Sequence, residues 1–478
     1  MVLSKTFLQA ALPYATLWVD GVHGHASLFQ LSDQEIRVSF DSRDVEKNDL
    51  FVALQGNKVD GHDFIAQVLE KEAGALLVSV DSYDQIKTQH AGALRNKLVI
   101  AVPDTFQALI DLAKAWRQQF TCPIIGVTGS IGKTTTKEIL RIIFATAQRS
   151  AYVSYKNQNT VLGLCANILR MPADVQVGVF EVSLHHKDVL AELADILRPT
   201  IGIITCIAHS HVEHIGSLAE VCAQKRQLFN YFTPQNIGIV FGDQEFLTSV
   251  TYRHPITKFG FKMRNQVQAR RVSVVQDADG NLCSKFTLKW FGKKAEVVLQ
   301  GNHQGLINNA LAASAVAYFL DIPLDTLVHA LGEYKSFENR FQTKKIKNDR
   351  GLIISDCYNA NPESMKAALT AFDQMKSPGS KVAILGDMLE LGDKEAYWHR
   401  QIGRFLNKSS TLDTLILVGE RAKLIAKTAP VYLSINFVPS WEGAVQLLQA
   451  ALEQRKALVL VKGSRGMTLE RMVAFFEE

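Results

Sequence analysis

The chain has 478 residues, and 52 Lys and Arg against 47 Asp and Glu leave a formal charge of only +5. So small an excess over so long a chain argues against a dedicated nucleic-acid or polyanion binder. With 47% hydrophobic and 21% charged residues, the composition excludes disorder as the main state and predicts several domains, each with its own core. The six cysteines (Cys122, Cys165, Cys206, Cys222, Cys283, Cys357) form no C-x-x-C pair. They read as reduced thiols of a cytoplasmic protein, neither a disulfide framework nor a zinc site. No uninterrupted apolar run reaches about 18 residues, so membrane insertion is not expected.

Phe7 to Val19, interrupted by Pro13 and Tyr14, reads as an amphipathic first helix and a turn rather than a targeting segment. Strands are predicted at Ile36 to Phe40, Leu50 to Leu54, Ala75 to Val80 and Leu98 to Val102, with a helix at Phe64 to Glu72. These make residues 1–102 a small α/β domain. A second domain is expected over residues 103–333. It opens with an apolar strand, Ile124 to Val127, a glycine-rich turn and a helix whose Ile139, Ile142, Ile143 and Ala147 share a face. Two buried strands follow, Val175 to Val182 and Ile201 to Ile207, then a more polar alternating stretch over 255–300 that suggests a peripheral antiparallel sheet on the same domain, with Ser273, Phe286, Leu288 and Val297 among its apolar positions. An alanine-rich helix from Asn309 to Phe319 closes this domain. Strands at Leu352 to Cys357, Val382 to Gly386, Leu415 to Gly419 and Leu458 to Val461, with helices between, make residues 334–478 a third, Rossmann-like domain. The fold class is α/β, with mostly parallel sheets.

The strongest chemical signal is Gly126-Val-Thr-Gly129-Ser130-Ile131-Gly132-Lys133-Thr134-Thr135 between a strand and a helix. A phosphate-binding loop needs that context, although the spacing is not the strict G-x-x-x-x-G-K-T. Its backbone N–H groups would face phosphates, Lys133 would add a positive charge, and the Thr134 hydroxyl can bind Mg²⁺. Glu181 and His211, each beyond a strand end, are placed by topology near the loop and suit a metal shell. Lys225 taken alone reads as a solvated helix lysine. In the third domain, Asp356-Cys-Tyr358-Asn359-Ala-Asn361-Pro362, Leu385 to Gly392 and Lys462-Gly-Ser464-Arg465 all fall at one sheet edge. A plain turn needs one cap, not three amide or acid groups, so this edge is a site.

Together with Asp41-Ser42-Arg43, Phe51 to His62, and His399-x-x-x-Gly403, these strings resemble the Mur ligase family over essentially the whole chain. The resemblance implies a UDP-binding domain, a central ATPase domain and a mobile C-terminal domain, in an ADP-forming amide ligase of cell-wall precursor synthesis. The substrates implied are a UDP-muramoyl tripeptide and D-alanyl-D-alanine, with ATP and two Mg²⁺ ions as cofactors, in a cytoplasmic monomer. Carried over residue by residue, Gly129, Ser130, Gly132, Lys133, Thr134 and Thr135 would hold the triphosphate, and Asn309, Arg340, Asp356, Asn359 and Asn361 the rest of the nucleotide. Thr134, Glu181, His211 and a carbamylated Lys225 would hold the metals, with Lys133, Glu181, His211 and Lys225 as the catalytic set. Ser42, Arg43, Asn159, Lys462 and Arg465 would contact substrate. Departures are Ile131 for an Asn, Thr160 for a second Asn, Val182-Ser183 for Met-Gly, Gln227 for an acid, and a slightly lengthened segment between Gly301-Asn302-His303 and Asn309. A nucleotide-binding relative without ligase activity, or an amide ligase of folylpolyglutamate or cyanophycin type, would share the loop. Asp41-Ser42-Arg43 speaks against the latter.

Overall fold

Aliphatic and β-branched runs, buried on both faces, become the parallel strands of three sheets, as such runs do when helices cover both sides. The computed structural model describes residues 4–19, 22–23, 36–56, 58–155, 158–209, 216–277, 282–337, 339–377, 379–409 and 411–478. The first sheet has the order Val22–His23, Thr16–Val19, Leu98–Val102, Ala75–Ser79, Leu50–Val52, Val38–Ser39. Its last four strands run parallel, and Thr16–Val19 is antiparallel to Leu98–Val102. The opening segment is therefore a short helix, Lys5–Ala11, and then a strand rather than only a turn.

The central sheet has nine strands, and Ile124–Thr128 lies between Ile201–Ile204 and Val177–Glu181. The chain thus moves to opposite sides of Ile124–Thr128, and ligands bind at the carboxyl end of such a switch point. The alternating stretch after residue 255 is not a separate sheet. Val267–Gln276 pairs parallel with Ile256–Gly260 at Phe259↔Val267, and Leu282–Trp290 and Lys293–Gln300 extend the same sheet antiparallel. Of the expected apolar positions Phe286, Leu288 and Val297 are buried, whereas Ser273 is exposed beside a register shift between Arg270 and Ser273. The closing helix starts at Gln304, five positions before Asn309, because His303 caps it by accepting the Leu306 N–H at 3.1 Å on Nδ1.

The third sheet runs Gln342–Ile346, Gly351–Asp356, Ala457–Lys462, Ser380–Gly386, Thr414–Val418, Ser434–Val438. All of it is parallel except the first strand. Asp356 and Leu385 both register against Lys462, so the three chemistry-bearing strings do share one sheet edge. Helix Thr105–Gln118 joins the first two layers. Its Leu109, Leu112, Ala113 and Trp116 belong to one continuous core with Leu12, Ile100, Leu164 and Ile168. No described helix is long and apolar enough to cross a membrane.

Candidate active site

Strand Ile124–Thr128 is wholly buried and ends at Gly129, which has φ +148°; Gly132 has φ +90°. Both need glycine, because a Cβ would run into the Thr205 hydroxyl at the first and the Asn309 amide at the second. The loop is clamped from the neighbouring strand. Thr205 Oγ1 donates to Ile131 O at 2.5 Å, and Ser130 Oγ accepts the Ala208 N–H at 3.0 Å. Helix Lys133–Thr146 then begins with no side-chain cap, so its first N–H groups are available to an anion. Lys133 folds back to donate to Gly129 O at 2.9 Å. Burial pulls its pKa down, against the opposing pull of Glu181.

Glu181, 3% exposed, ends the adjacent strand. Its Oε2 accepts from Thr134 Oγ1 and its Oε1 from Asn159 Nδ2, both at 2.9 Å. Asn159 Oδ1 lies 3.1 Å from His185 Nε2. Lys225 lies on helix Leu218–Arg226, which a Ser217–Glu220 capping box starts. It is 1% exposed rather than solvated, and its Nζ has no hydrogen-bond partner among the described residues. Burial first, and then the charge of Lys133, depress its pKa well below the usual lysine value. Gln224 and Gln227 flank it and both donate to Asp188 Oδ1, at 3.0 and 2.9 Å. An acid in place of Gln227 would face the Asp188 carboxylate. His211 lies outside the described residues.

From the third sheet, Lys462 donates to Asp356 Oδ2 at 2.7 Å and to Asn359 O at 3.0 Å. Asn361 Oδ1 caps helix Pro362–Gln374 through the Ser364 N–H at 2.8 Å. Arg340, on the connection into this sheet, has its guanidinium carbon over the Tyr358 ring, 3.8 Å from the ring centre, and donates to Thr134 Oγ1 at 3.2 Å. Other motif residues are braces. His399 Nε2 accepts the Met388 N–H at 3.0 Å while Nδ1 lies 2.8 Å from Glu395 O, which places its proton on Nδ1, and burial lowers its pKa. Buried Asp387 accepts the Ala422 N–H at 2.7 Å, and Gly403 lies where a Cβ would strike Ile425 O.

These groups surround a cavity of about 520 Å³ between the second and third sheets. Its walls include Ser130, Gly132, Lys133, Thr134, Thr135, Asn159, Glu181, Asn309, Arg340, Asp356, Asn359, Asn361, Lys462 and Arg465. Ser42, Arg43 and Lys225 are not in its lining. Arg43 is exposed on the first layer, paired with Asp41 at 2.6 Å, and the guanidinium holds the Asp41 carboxyl down at about 2. Lys71 Nζ fixes the backbone there by donating to Ser42 O and Arg43 O at 2.9 and 2.7 Å. His62 brackets the same layer, with Nδ1 2.6 Å from Asp60 and Nε2 accepting the Ser79 N–H at 3.0 Å. Sequence reasoning assigned no site role to His185, His303, Asn308, Tyr358 or Glu363, which also line the cavity. For Tyr358 the signal was its place inside Asp356 to Pro362.

The architecture is that of an α/β protein with a phosphate-loop-like glycine turn at a parallel-sheet switch point, roofed by the carboxyl edge of a second parallel sheet. Profiles described as Mur ligase middle domain, Mur ligase glutamate ligase domain, and Mur ligase family catalytic domain match residues 127–317, 339–465 and 37–117. The UDP-N-acetylmuramoyl-tripeptide–D-alanyl-D-alanine ligase of Bacillus subtilis is 33% identical over 91% of this chain and 92% of its own. A crystal structure of MurF from Acinetobacter baumannii superposes with a TM-score of 0.84 at 27% identity, covering 99% of this chain and 98% of that one. MurF ligase from Thermotoga maritima in complex with ADP superposes with a TM-score of 0.79 at 25% identity, covering 92% and 97%. The chain belongs to the Mur ligase family.

Proposed function

We propose that this chain is an ATP-dependent, ADP-forming ligase that joins D-alanyl-D-alanine to UDP-N-acetylmuramoyl-tripeptide, a step of peptidoglycan precursor synthesis. The observation that carries this reading is the single cavity in which a phosphate loop and the Thr134–Glu181 pair meet Arg340, Asp356 and Lys462 of a second sheet. In that cavity the tripeptide's terminal carboxylate oxygen attacks the γ-phosphorus, and the bond to the ADP oxygen breaks. The dipeptide amine then attacks the acyl phosphate carbon, loses a proton, and phosphate leaves. No side-chain nucleophile is needed. Lys133 and Arg340 attract the phosphates, and the loop's free N–H groups orient them. Residues 1–102 hold the UDP-sugar through Ser42 and Arg43, residues 103–333 bind ATP, and residues 334–478 close over both. Asn159, Lys462 and Arg465 meet the peptide substrates.

Thr134 and Glu181 present hard oxygen donors, the type Mg²⁺ takes. Lys225 fits a metal site only when modified. As an ammonium it has donors and no acceptor, while its burial and orphaned Nζ favour the neutral amine that reacts with CO₂. Thr134, Glu181, His211 and carbamylated Lys225 would hold two Mg²⁺ ions, which when bound offset charge on the transferring phosphoryl group. We place the enzyme in the cytoplasm as a monomer.

The test is ADP release by purified protein, with UDP-muramoyl tripeptides carrying lysine or diaminopimelate crossed against D-Ala-D-Ala and single D-amino acids. Release that requires both tripeptide and D-Ala-D-Ala is expected. ATP bound but consumed with no pair would sink the reading in favour of a non-catalytic relative.

A further inference from the structure

Arg340 reaches from the connection into the third sheet across the cavity to the phosphate loop, and its side chain is held in an unusual way. Its backbone neighbours Asn339 and Phe341 both have positive φ, +58° and +54°. A phenylalanine in that region is strained, and such strain persists only where the surroundings over-determine it. Among the described residues the guanidinium has a single hydrogen bond, to Thr134 Oγ1 at 3.2 Å, and its Nε is buried without a partner. What holds the group is a face. Its central carbon lies 3.8 Å from the Tyr358 ring centre, and Arg465 approaches the same ring at 5.2 Å. Stacking on an aromatic face constrains a guanidinium without using its N–H donors, which remain free to form bidentate bonds to an oxyanion.

We infer that Tyr358 is the positioning residue of the phosphoryl-transfer site, an aromatic shelf that aims Arg340, and beside it Arg465, at the anionic groups of the substrates. The inference rests on the ligase reading above and adds a residue to it. Arg340 reaches the loop at Thr134, the residue beside Lys133 on the side of the developing charge, so the shelf acts on discrimination between a triphosphate and a diphosphate. A residue that merely filled space would not move that ratio.

The test uses the full chain. The ratio of dissociation constants for ADP and a non-hydrolysable ATP analogue is measured with kcat and KM for wild type and for Tyr358→Leu, Tyr358→Phe and Tyr358→Trp. The Leu variant is expected to lose roughly tenfold in kcat and in the triphosphate preference, with ADP affinity nearly kept. Phe and Trp, which keep a π face, recover both to within about threefold of wild type. In an Arg340→Lys background, which lacks the planar group, Tyr358→Leu adds little. If the Leu variant loses its cooperative melting transition, Tyr358→Met, flexible and without a π face, takes its place. A Leu or Met variant whose ratio and kcat both stay within twofold of wild type overturns the inference. Wild-type protein that binds nucleotide but ligates nothing overturns the ligase reading alone, and the ratio still decides the role of Tyr358. Wild-type protein that binds no nucleotide overturns both.

Discussion

Lys225 has its Nζ sealed from water with no hydrogen-bond partner among the described residues, an arrangement that costs stability. Removing the group while keeping the stem should therefore help the fold. Lys225→Met is expected to stabilise the protein by about 1–3 kcal/mol near pH 7, measured by denaturant unfolding of the metal-free chain. The sign follows from the depressed pKa: the unfolded lysine binds a proton that the folded one resists, so wild-type stability falls as pH drops from the unfolded value toward the folded one. The same variant should lose nearly all ligase turnover, and Lys225→Ala should regain part of it with a short carboxylic acid, whereas Lys225→Arg should not. Full turnover of Lys225→Ala in CO₂-depleted buffer would rule out the carbamate. Lys133→Ala should abolish turnover with the fold intact, since the loop's N–H groups still cradle phosphate but no charge follows the γ-phosphoryl group. None of the burial at Lys225 was legible in Ala223-Gln224-Lys225-Arg226, which reads as a solvated helix end. The burial comes from elements distant in sequence, among them the Asp188 turn that ties down Gln224 and Gln227.

Helix beginnings were legible where the cap is local and of a familiar kind, and illegible otherwise. The loop before Lys133 announces itself through glycines that positive φ requires, and Asn361-Pro362 through a cap followed by proline at the first turn. The sequence points to Asn309 and not Gln304 as the start of helix Gln304–Phe319, because histidine is an uncommon cap, and only the fold shows His303 Nδ1 accepting the Leu306 N–H. That cap works only while Nδ1 is unprotonated. Burial lowers the His303 pKa to about 4, against the pull of Asp356. The unfolded histidine takes up its proton first, so this contribution is complete above pH 6.5 and is lost as pH falls toward 4. Wild type should lose about 1–3 kcal/mol more than His303→Asn between pH 7 and 4, because asparagine also caps a helix but does not titrate. Parallel pH slopes for the two proteins in urea unfolding would refute the assignment. The hairpins after residue 255 were recognised as antiparallel strands, yet their joining to the main sheet rests on the Phe259↔Val267 pairing, a tertiary fact that alternation cannot encode.

At the scale of the whole molecule, three α/β layers were legible because each repeats strand and helix locally, while their mutual placement was not. Helix Thr105–Gln118 follows the first sheet in sequence but shares its core with the second. Arg117 there donates to Leu197 O at 2.6 Å and Arg198 O at 2.8 Å. Side chains join the second and third layers. His209, just past strand Ile201–Ile204, has Nδ1 2.6 Å from Glu363 Oε1 and its ring 4.2 Å from that of Trp398. Asn302 Nδ2 donates to Ala371 O at 3.1 Å, and Arg340 reaches Thr134. If ligand binding draws on this closed arrangement, weakening the His209–Glu363 clasp raises the cost of closing without touching the phosphate loop. His209→Ala and Glu363→Ala should each raise KM for ATP several-fold, and the double variant should do little worse than either, a coupling of about 1 kcal/mol in the cycle. Glu363→Gln, whose amide oxygen still accepts from the imidazole, should fall between Glu363→Ala and wild type. Strictly additive effects, with Gln no better than Ala, would mean that the clasp carries no part of closure. Closure would then rest on other contacts between the two layers, among them Arg340 to Thr134 and Asn302 to Ala371.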